Sequence, residues 1–344
     1  MGGAAARWVE SPPAGWSELL ATDPAATPAH LPALWSALAE VLPGMSVRFL
    51  AVEADGALVG GAPLLVERRA GLHWLHALPF LLSGAPLARD GHHAGVDAAA
   101  GRALADLQRE LRAVGGEWAL YRPCGPEPDA AAVAAPEGET RTLEAALVDL
   151  GAGLDAARAR VDRKTRQELR AAARLLAFAE EPDALEEAYA LHVAQSRHWP
   201  GHRPLPLELP RRLLARGTGG APPARLFTVR DAGGLLAATL ALDGARETFP
   251  WWSGLHPDGR PLHAFAFLLW SVVEWAAEHG RARVNLGASG GQGPVALFKD
   301  SLGARALRYP VRWLDARRAP PAGKLVAALQ RRLRRRRALG EAAA

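Results

Sequence analysis

Lys299 is the side chain that points most directly to chemistry, because lysine is scarce in this chain. Only Lys164, Lys299 and Lys324 occur, although arginine is abundant. An ammonium is a compact point charge and a guanidinium is a planar fork, so a lysine at this position indicates that a compact charge is needed. Positive charge near a carbonyl that gains negative charge stabilises acyl transfer. Lys299 follows a glycine-rich loop, and we expect its side chain to reach a cleft. The alternative is an exposed lysine on a short amphipathic helix that packs through Leu297 and Phe298.

Two stretches near this lysine are suited to binding anions. Gly287, Ser289 and the glycines that follow form a loop whose consecutive N–H groups could make a nest for an anion. Arg260 precedes an apolar helix, whose first N–H groups and dipole favour a phosphate. His256 and His263 flank Arg260, and imidazoles titrate near neutral pH, so either could accept the proton of an amine. Simple packing of loop histidines is the alternative.

A basic stripe on a second helix is a further candidate for phosphate binding. The apolar spacing predicts one long amphipathic helix over residues 154–176, with Lys164, Arg166 and Arg170 offset from its apolar face. Most charge stripes of this kind are solvated helix faces, and that interpretation stays open. A phosphate contact for these three side chains is the other interpretation.

Aromatic and polar side chains elsewhere are candidates for substrate contact. They lie between two predicted helices of residues 183–216, or in the apolar run of residues 247–254. The candidates are His198, Trp199, Trp251, Trp252 and Ser253. A histidine beside a tryptophan is also a common packing arrangement.

The elements that must position these residues follow a strand–strand–strand–helix–strand order over residues 225–304. Two apolar runs flank a glycine turn at residues 231–234, which predicts a hairpin. A third run follows at residues 247–254. Pro261 is expected to begin a helix that ends near His279, because proline favours the first helical position. This helix is apolar almost all round, so we expect it to be buried against the sheet.

The same plan occurs twice in the chain. Residues 47–66 align with residues 224–243 without a gap, strand on strand and glycine on glycine, and Trp74 then falls opposite Trp251. This repeat predicts an N-terminal domain of residues 1–150, a C-terminal domain of residues 151–318 and a basic tail of residues 319–344. The first copy carries a longer insertion at residues 81–93 and lacks an equivalent of Lys299. The two copies therefore differ at the positions that could do chemistry.

The order of elements resembles the Gcn5-related N-acetyltransferase (GNAT) fold. The segments from Gly280 to Gly287 and from Phe298 to Gly303 resemble the closing signature of the FemAB-like branch, with Asn285 in place of an aspartate and Leu302 in place of a phenylalanine. The resemblance implies a mixed α/β sheet fold with tandem duplicated GNAT-like domains, of which the second is catalytic and the first supports it or binds substrate. It also implies that Lys299 contacts the acceptor or the charge of the transition state, and that Asn285 belongs to the binding site. FemAB-like proteins carry a basic segment K-x-R-x-x-[IL]-R, which residues 164–170 match, so the resemblance favours a phosphate contact for Lys164, Arg166 and Arg170.

The resemblance leaves the acyl donor open between acyl-CoA and aminoacyl-tRNA. The phosphate-binding loop of GNAT enzymes has the pattern [QR]-x-x-G-x-[GA], and the stretch from Arg260 to Phe265 keeps only the arginine. FemAB-like proteins have similarly degenerate loops. The implied activity is transfer of an acyl or aminoacyl group onto an amine of a cell-envelope or polysaccharide precursor. The alternatives are an acetyl-CoA-dependent N-acetyltransferase and a non-catalytic protein that binds RNA or membrane.

Composition narrows the class and the setting of the protein. The chain has 344 residues, 49% of them hydrophobic and 22% charged, with a net charge of +5, which describes a globular protein that contacts anions. Codon bias is an equal explanation of the arginine excess. Cys124 is the only cysteine, and we expect no metal site and no disulfide. We expect a cytoplasmic location, with Arg331–Arg337 contacting tRNA or an anionic membrane face.

Overall fold

The computed structural model describes residues 5–77, 80, 82–125, 138–199, 203–215 and 222–314. The predicted basic tail with Arg331–Arg337 lies outside these residues. Within the part of the chain that is described, none of the helices combines the length and the apolarity that a membrane crossing requires.

The described chain alternates short strands with helices of two to five turns. The strands are β1 Ala5–Val9, β2 Met45–Ala54, β3 Ala57–Arg69, β4 Leu72–His76, β5 Leu87–Ala88, β6 Gly115–Ala119, β7 Gly138–Asp149, β8 Ala177–Glu180, β9 Ala224–Asp231, β10 Gly234–Asp243, β11 Glu247–Leu255, β12 Arg283–Asn285 and β13 Arg305–Leu314. The helices are α1 Trp16–Thr22, α2 Pro32–Val41, α3 His93–Glu110, α4 Leu154–Ala159, α5 Arg163–Ala172, α6 Leu185–Ser196, α7 Glu208–Ala215, α8 Ala264–Glu278 and α9 Gly293–Ser301.

The chain divides into two compact units. The first comprises Met1–Leu143 with Arg308–Ala344, and the second comprises Glu144–Leu307. In the first unit the strand order is β1-β2-β3-β4-β6-β13, and in the second it is β7-β12-β11-β10-β9-β8. All neighbours with a described register are antiparallel except β4 with β6 and β11 with β12. The predicted mixed sheet and the duplicated plan are therefore confirmed.

The units and the sequence repeats do not end at the same residues. Strand β7 follows the first repeat along the chain but pairs with β12 in the second unit. Strand β13 closes the second repeat but pairs with β6 in the first unit. The domain boundaries expected from the sequence, 1–150 and 151–318, describe the repeats, and as boundaries of folding domains they stay predictions.

The register of the hairpins corrects one detail of the repeat. Leu65 pairs with His76 in the first unit, and the equivalent residue Leu242 pairs with Phe249 in the second. Two residues earlier on each strand, Trp74 of β4 therefore occupies the position equivalent to Glu247 of β11, rather than the position equivalent to Trp251. Ten residues separate Leu65 from His76, whereas six separate Leu242 from Phe249. The first hairpin is therefore four residues longer, which a gap-free alignment of the sequences does not reveal.

Helix α8 forms the centre of the second unit's core, as its apolar sequence predicts. Leu268, Val272 and Ala276 recur every fourth residue and are fully buried against Phe227 and Val229 of β9 and other strand residues. In the first unit, α3 packs on the sheet in the same way through Val96, Leu104 and their neighbours. The position of α8 fixes the residues that precede it.

Two predicted helix boundaries are wrong. Helix α8 begins at Ala264 rather than at Pro261, because His263 has a left-handed backbone with φ 54°. The predicted helix of residues 154–176 is two helices, because the chain is extended at Asp162 with ψ 146°. The N–H group of Asp162 donates to the carbonyl of Ser301, which ties this break to the end of α9.

Candidate functional site

Strands β11 and β12 separate after a short parallel pairing. Their pairing covers Glu247 with Arg283 and Thr248 with Val284. Strand β11 then continues to Leu255 beside β10, and a bulge at Trp251 shifts its register. The chain after β12 stays with β7 instead, since Leu286 N–H donates to Ala146 O at 2.8 Å and Ala146 N–H donates to Gly287 O at 3.0 Å. Two parallel strands that diverge leave an opening, which we call the strand opening.

A buried polar group fixes the point of divergence. Arg283 Nε donates to Glu247 Oε2 at 2.8 Å, and Asn285 Nδ2 donates to Glu247 Oε1 at 3.2 Å. The Asn285 Oδ1 atom accepts from Gly287 N–H at 2.8 Å. Glu247, Arg283 and Asn285 are at most 6% exposed, so their charges are compensated by one another rather than by water. Asn285, for which the family resemblance implies a place in the binding site, therefore holds the loop.

Lys299 holds the same loop from the other end. Its Nζ atom donates to Gly287 O at 2.9 Å and to Ala288 O at 2.8 Å. The residue is 7% exposed. Burial lowers the pKa of Lys299 to about 8, and the negative charge of Glu144 on β7 opposes that shift. Lys299 is therefore neither an exposed helix lysine nor a side chain extended freely into a cleft. It is a buried cation on the carbonyls of the glycine-rich loop.

The contact with Lys299 orients the loop's amides. In a trans peptide the N–H and C=O groups point in opposite directions. The carbonyls of Gly287 and Ala288 face Lys299, so the N–H groups of Ala288 and Ser289 face away from it. Among the described residues these two N–H groups have no hydrogen-bond partner. Gly287 has φ +75°, which favours glycine. Two adjacent N–H groups on one side of a loop can bind an oxyanion.

The connection from β11 to α8 uses most of its own amides. The N–H groups of Gly259, Arg260 and His263 each donate to the carbonyl three residues earlier, and Asp258 N–H donates to His256 Nδ1 at 3.3 Å. Arg260 is exposed. His263 precedes α8 without capping it through its side chain. The first turn of α8 and Arg260 are therefore the groups that this connection offers to an anion.

The two histidines predicted as proton acceptors lie in this connection. The His256 side chain is 47% exposed and lies 3.5 Å from Asp258 Oδ2. The His263 side chain is 41% exposed, and its Nδ1 lies 3.6 Å from Glu168 Oε2. Among the described residues, neither is hydrogen-bonded to Lys299.

An aromatic cluster covers the other half of β11. Helix α6 places Tyr189 and His192 against Trp252, with ring centroids 6.3 Å and 4.7 Å from it. His192 is 3% exposed, and its Nδ1–H donates to Ser253 O at 2.9 Å. Gln195 accepts from the Leu255 N–H at 2.7 Å. Tyr189, His192 and Gln195 recur every third residue, which places them on one helix face.

The sequence indicates only part of this cluster, namely its tryptophans and the polar residues beside them. Trp199 is 39% exposed, and its ring centroid lies 5.8 Å from that of His192. His198 is exposed beside it. Trp251 is 7% exposed, and the Ser253 hydroxyl donates to Thr239 Oγ1 at 3.0 Å. The three residues of α6 were missed, although their spacing in an otherwise apolar and acidic helix was a usable signal.

The structure divides the basic stripe of α5. Lys164 lies 3.6 Å from Glu168 Oε1, and the same carboxylate faces His263. Arg166 and Arg170 lie on another side of the helix and line a cavity with Arg158. Within the described residues, no group of three or more histidine, cysteine or acidic side chains is arranged to hold a metal ion.

The second unit matches a known family. Residues 156–294 match the model described as an acetyltransferase (GNAT) domain. This range includes β11, α8, β12 and the glycine-rich loop. None of the curated proteins compared with the chain matches it.

Several solved structures share the fold of the whole chain. The structure of FemX has a TM-score of 0.67 at 11% identity, covering 88% of this chain and 96% of that chain. The C-terminal domain of a putative lysylphosphatidylglycerol synthetase from Agrobacterium fabrum has a TM-score of 0.58 at 14% identity, covering 91% and 93%. A tandem GNAT protein from the clavulanic acid biosynthesis pathway has a TM-score of 0.54 at 14% identity, covering 91% and 99%. These likenesses confirm the predicted tandem GNAT fold.

Proposed function

We propose that the chain is an acyltransferase of the GNAT superfamily and that it transfers an aminoacyl or acyl group onto an amine of a cell-envelope or polysaccharide precursor. The observation that carries this proposal is the strand opening in the second unit. An extended donor can lie along β11 and present its carbonyl carbon to the glycine-rich loop. The neighbours named FemX and lysylphosphatidylglycerol synthetase support an acceptor from the cell envelope.

The chemistry proposed for the loop is stabilisation of the oxyanion. As the amine nitrogen bonds to the donor carbonyl carbon, negative charge develops on the carbonyl oxygen. The ester or thioester bond of the donor then breaks and releases the tRNA hydroxyl or the coenzyme A thiol. The N–H groups of Ala288 and Ser289 are placed to receive the carbonyl oxygen, and Lys299 keeps them oriented by holding the carbonyls of Gly287 and Ala288. Lys299 also supplies positive charge behind the loop. Its role is thus positioning as well as electrostatic.

The remaining site residues have proposed roles that follow from their places. Tyr189, His192, Trp199 and Trp252 form an aromatic wall suited to the acceptor. His256 or His263 takes the proton of the attacking amine, as the sequence predicts. Single substitutions of each by glutamine test this, because losing a general base lowers the rate by about a hundredfold or more.

The donor that we favour is an aminoacyl-tRNA. A coenzyme A pyrophosphate needs free backbone N–H groups between β11 and α8, and the N–H groups of Gly259, Arg260 and His263 are already used within that connection. A donor held mainly through its long nucleic-acid portion depends less on these amides. A cytoplasmic location, with the tail Arg331–Arg337 contacting tRNA or an anionic membrane, is part of this proposal.

A binding screen tests the donor directly. The melting temperature of the purified protein is measured with acetyl-CoA, with coenzyme A and with charged tRNA, because a ligand that binds the native state raises it. We expect stabilisation by charged tRNA that exceeds stabilisation by uncharged tRNA. Stabilisation by acetyl-CoA alone would replace this donor with acyl-CoA and indicate an N-acetyltransferase. Stabilisation by neither donor would contradict an acyltransferase.

A further inference from the structure

The arginine-lined cavity of the second unit is separate from the strand opening. It has a volume of about 250 Å³ and lies between α5 and α8, with Arg158 of α4 at its edge. Its wall on α8 runs from Phe267 to Glu274. Glu274 lies ten residues after Ala264, which is roughly 15 Å along a helix. The cavity therefore lies along the body of α8, whereas the strand opening involves β11 and the loop after β12.

The cavity combines an apolar floor with a cationic rim. Leu169 and Trp270 are 8% and 5% exposed and form part of the floor, and Phe267 adds a second aromatic ring. The rim carries the guanidinium groups of three arginines and the carboxylate of Glu274. Arg158 is paired with Glu274 at 3.0 Å and with Asp155 at 3.4 Å, so the positive charges left beside the buried aromatic surface are those of Arg166 and Arg170.

The charges on the rim are only partly compensated within the protein. Glu274 accepts from Arg158 Nη2 at 3.0 Å and from Trp270 Nε1 at 2.8 Å, so this carboxylate is already occupied. Arg166 Nη1 donates to the carbonyl of Val161, which fixes its guanidinium at the end of α4. The guanidinium of Arg170 has no hydrogen bond or ion pair among the described residues. One anchored and one unpaired guanidinium thus face the same small space.

We propose that this cavity binds a small organic phosphate that carries an apolar group. Guanidinium groups match phosphate oxygens in geometry as well as in charge. The apolar group would cover Phe267 and Trp270 while the phosphate meets Arg166 and Arg170. A volume of about 250 Å³ lies near the lower end for small-molecule sites, so the ligand is a phosphate ester of modest size. This proposal does not depend on the acyl-transfer activity.

Titration calorimetry with phenyl phosphate and glycerol 3-phosphate tests the proposal. Both carry a phosphate monoester, but only phenyl phosphate carries an aromatic group. We expect phenyl phosphate to bind the full chain more tightly. Arg170→Gln should weaken it by about tenfold or more, as expected for one charged hydrogen bond. Because Arg170 is exposed, its loss should leave the melting temperature unchanged.

Arg174→Gln is the matched control, since Arg174 is an exposed arginine one turn further along that does not line the cavity. If Arg174→Gln weakened the binding of phenyl phosphate as much as Arg170→Gln, the ligand would be held by the general positive charge of the helix, and the proposal would be overturned. Equal affinity for the two phosphates, or no binding of phenyl phosphate, would overturn it as well. Soluble short-chain phosphatidylglycerol then separates the sources of ligand. Displacement of phenyl phosphate by this lipid supports a lipid headgroup, and no displacement supports a soluble phosphate ester.

Discussion

The two units share one plan, but the second has a strand opening where the first is filled by its own chain. In the second unit, β11 continues beside β10 from Glu247 to Leu255, with one bulge at Trp251. In the first unit, β4 ends at His76, and the chain returns to the edge of β3 as β5. Strand β5 pairs with Gly60 and Gly61, which are equivalent to the β10 residues that pair with the end of β11. The ten residues 77–86 of the first repeat thus stand where the second repeat has four, residues 250–253, around the bulge at Trp251.

The inserted segment is held firmly in the first unit. Thr27 Oγ1 donates to Ser83 O at 2.9 Å, and His30 Nε2 donates to Ala85 O at 2.7 Å. Tyr121 N–H donates to Gly84 O at 3.3 Å. Each of these contacts uses a carbonyl of the insertion. A duplicated fold can therefore keep one copy open for a ligand and close the other with a few added residues.

The two units also differ in how each stabilises a buried cation. In the first unit, His76 donates from Nδ1 to Glu117 at 2.9 Å and from Nε2 to Glu67 at 3.1 Å. Burial acts to lower the pKa of His76, but the hydrogen bonds to Glu117 and Glu67 outweigh it and raise this pKa to about 9. Burial lowers the pKa of Lys299 to about 8. Carboxylates stabilise the charged form of His76, whereas burial disfavours the charged form of Lys299, and perturbed groups of the second kind are common at functional sites.

The largest effect is expected for Lys299→Met. This variant removes the charge behind the loop and both contacts that orient its amides, so acyl transfer should slow by about a hundredfold or more. A lysine that reached freely into a cleft could be replaced without loss of stability, but Lys299 is buried with two hydrogen bonds, so we expect its loss to cost roughly 1–3 kcal/mol of unfolding free energy. Turnover and urea unfolding measure the two effects.

Lys164→Met is the control for that variant, because Lys164 is 87% exposed. It should leave stability nearly unchanged and leave the turnover rate far above that of Lys299→Met. Lys299→Arg should restore only part of the rate, because a planar guanidinium does not fit two adjacent carbonyls as an ammonium does. Full turnover in Lys299→Met would remove this residue from the site.

A smaller effect is expected from His76→Gln, and its pH dependence is the informative part. The pKa of His76 is raised from 6.5 to about 9 on folding, so its protonated form stabilises the native state. This contribution is complete below pH 6.5 and is lost as the pH rises through 9. The variant should lose about 2 kcal/mol at pH 6 and progressively less towards pH 9.5.

Urea unfolding across that range measures the difference, with His73→Gln on the same strand as the control. The lowered pKa of Lys299 has the opposite sign, so its contribution makes the protein more stable as the pH rises from about 8 to 10.5. A constant difference between wild type and His76→Gln at all pH values would show that the histidine only fills space.

The smallest effect on rate is expected from Asn285→Ala. This change removes the acceptor of the Gly287 N–H group and a donor to Glu247, while Lys299 still holds the loop. We expect about a tenfold loss of rate at saturating substrate. A loss equal to that of Lys299→Met would mean that the two side chains act as one unit, and an unchanged rate would mean that Asn285 only braces the sheet.

Much of the fold follows from residue patterns, because those patterns record local and periodic preferences. The glycine turn at residues 231–234 and its copy near Gly56 predict the hairpins, and the apolar run of α8 predicts its burial. The start of α8 was missed because a left-handed residue at His263 has no strong sequence signal. The break at Asp162 was missed because its cause is a hydrogen bond to the distant residue Ser301.

The candidate site was less predictable, because its important partners are backbone atoms. The sequence marks Lys299 and the glycine-rich loop as neighbours along the chain. It does not reveal that the ammonium donates to the carbonyls of Gly287 and Ala288, since every residue carries a backbone carbonyl and none is marked by its side chain. The roles of His256, His263 and Arg260 stay predictions. The site that Arg158 forms with Arg166 and Arg170 depends on three helices that only the folded chain brings together.

Hydrogen exchange with a bound donor tests most directly the claim that the strand opening holds the acyl group. The probes are coenzyme A and a stable amide-linked analogue of the aminoacyl end of tRNA, each compared with the protein alone. We predict that the tRNA analogue slows exchange in residues 249–255 of β11 and 286–289 of the glycine-rich loop, and leaves residues 72–88 unchanged. Slower exchange confined to residues 72–88 would contradict this account, because it would place the donor in the unit whose own chain fills that position.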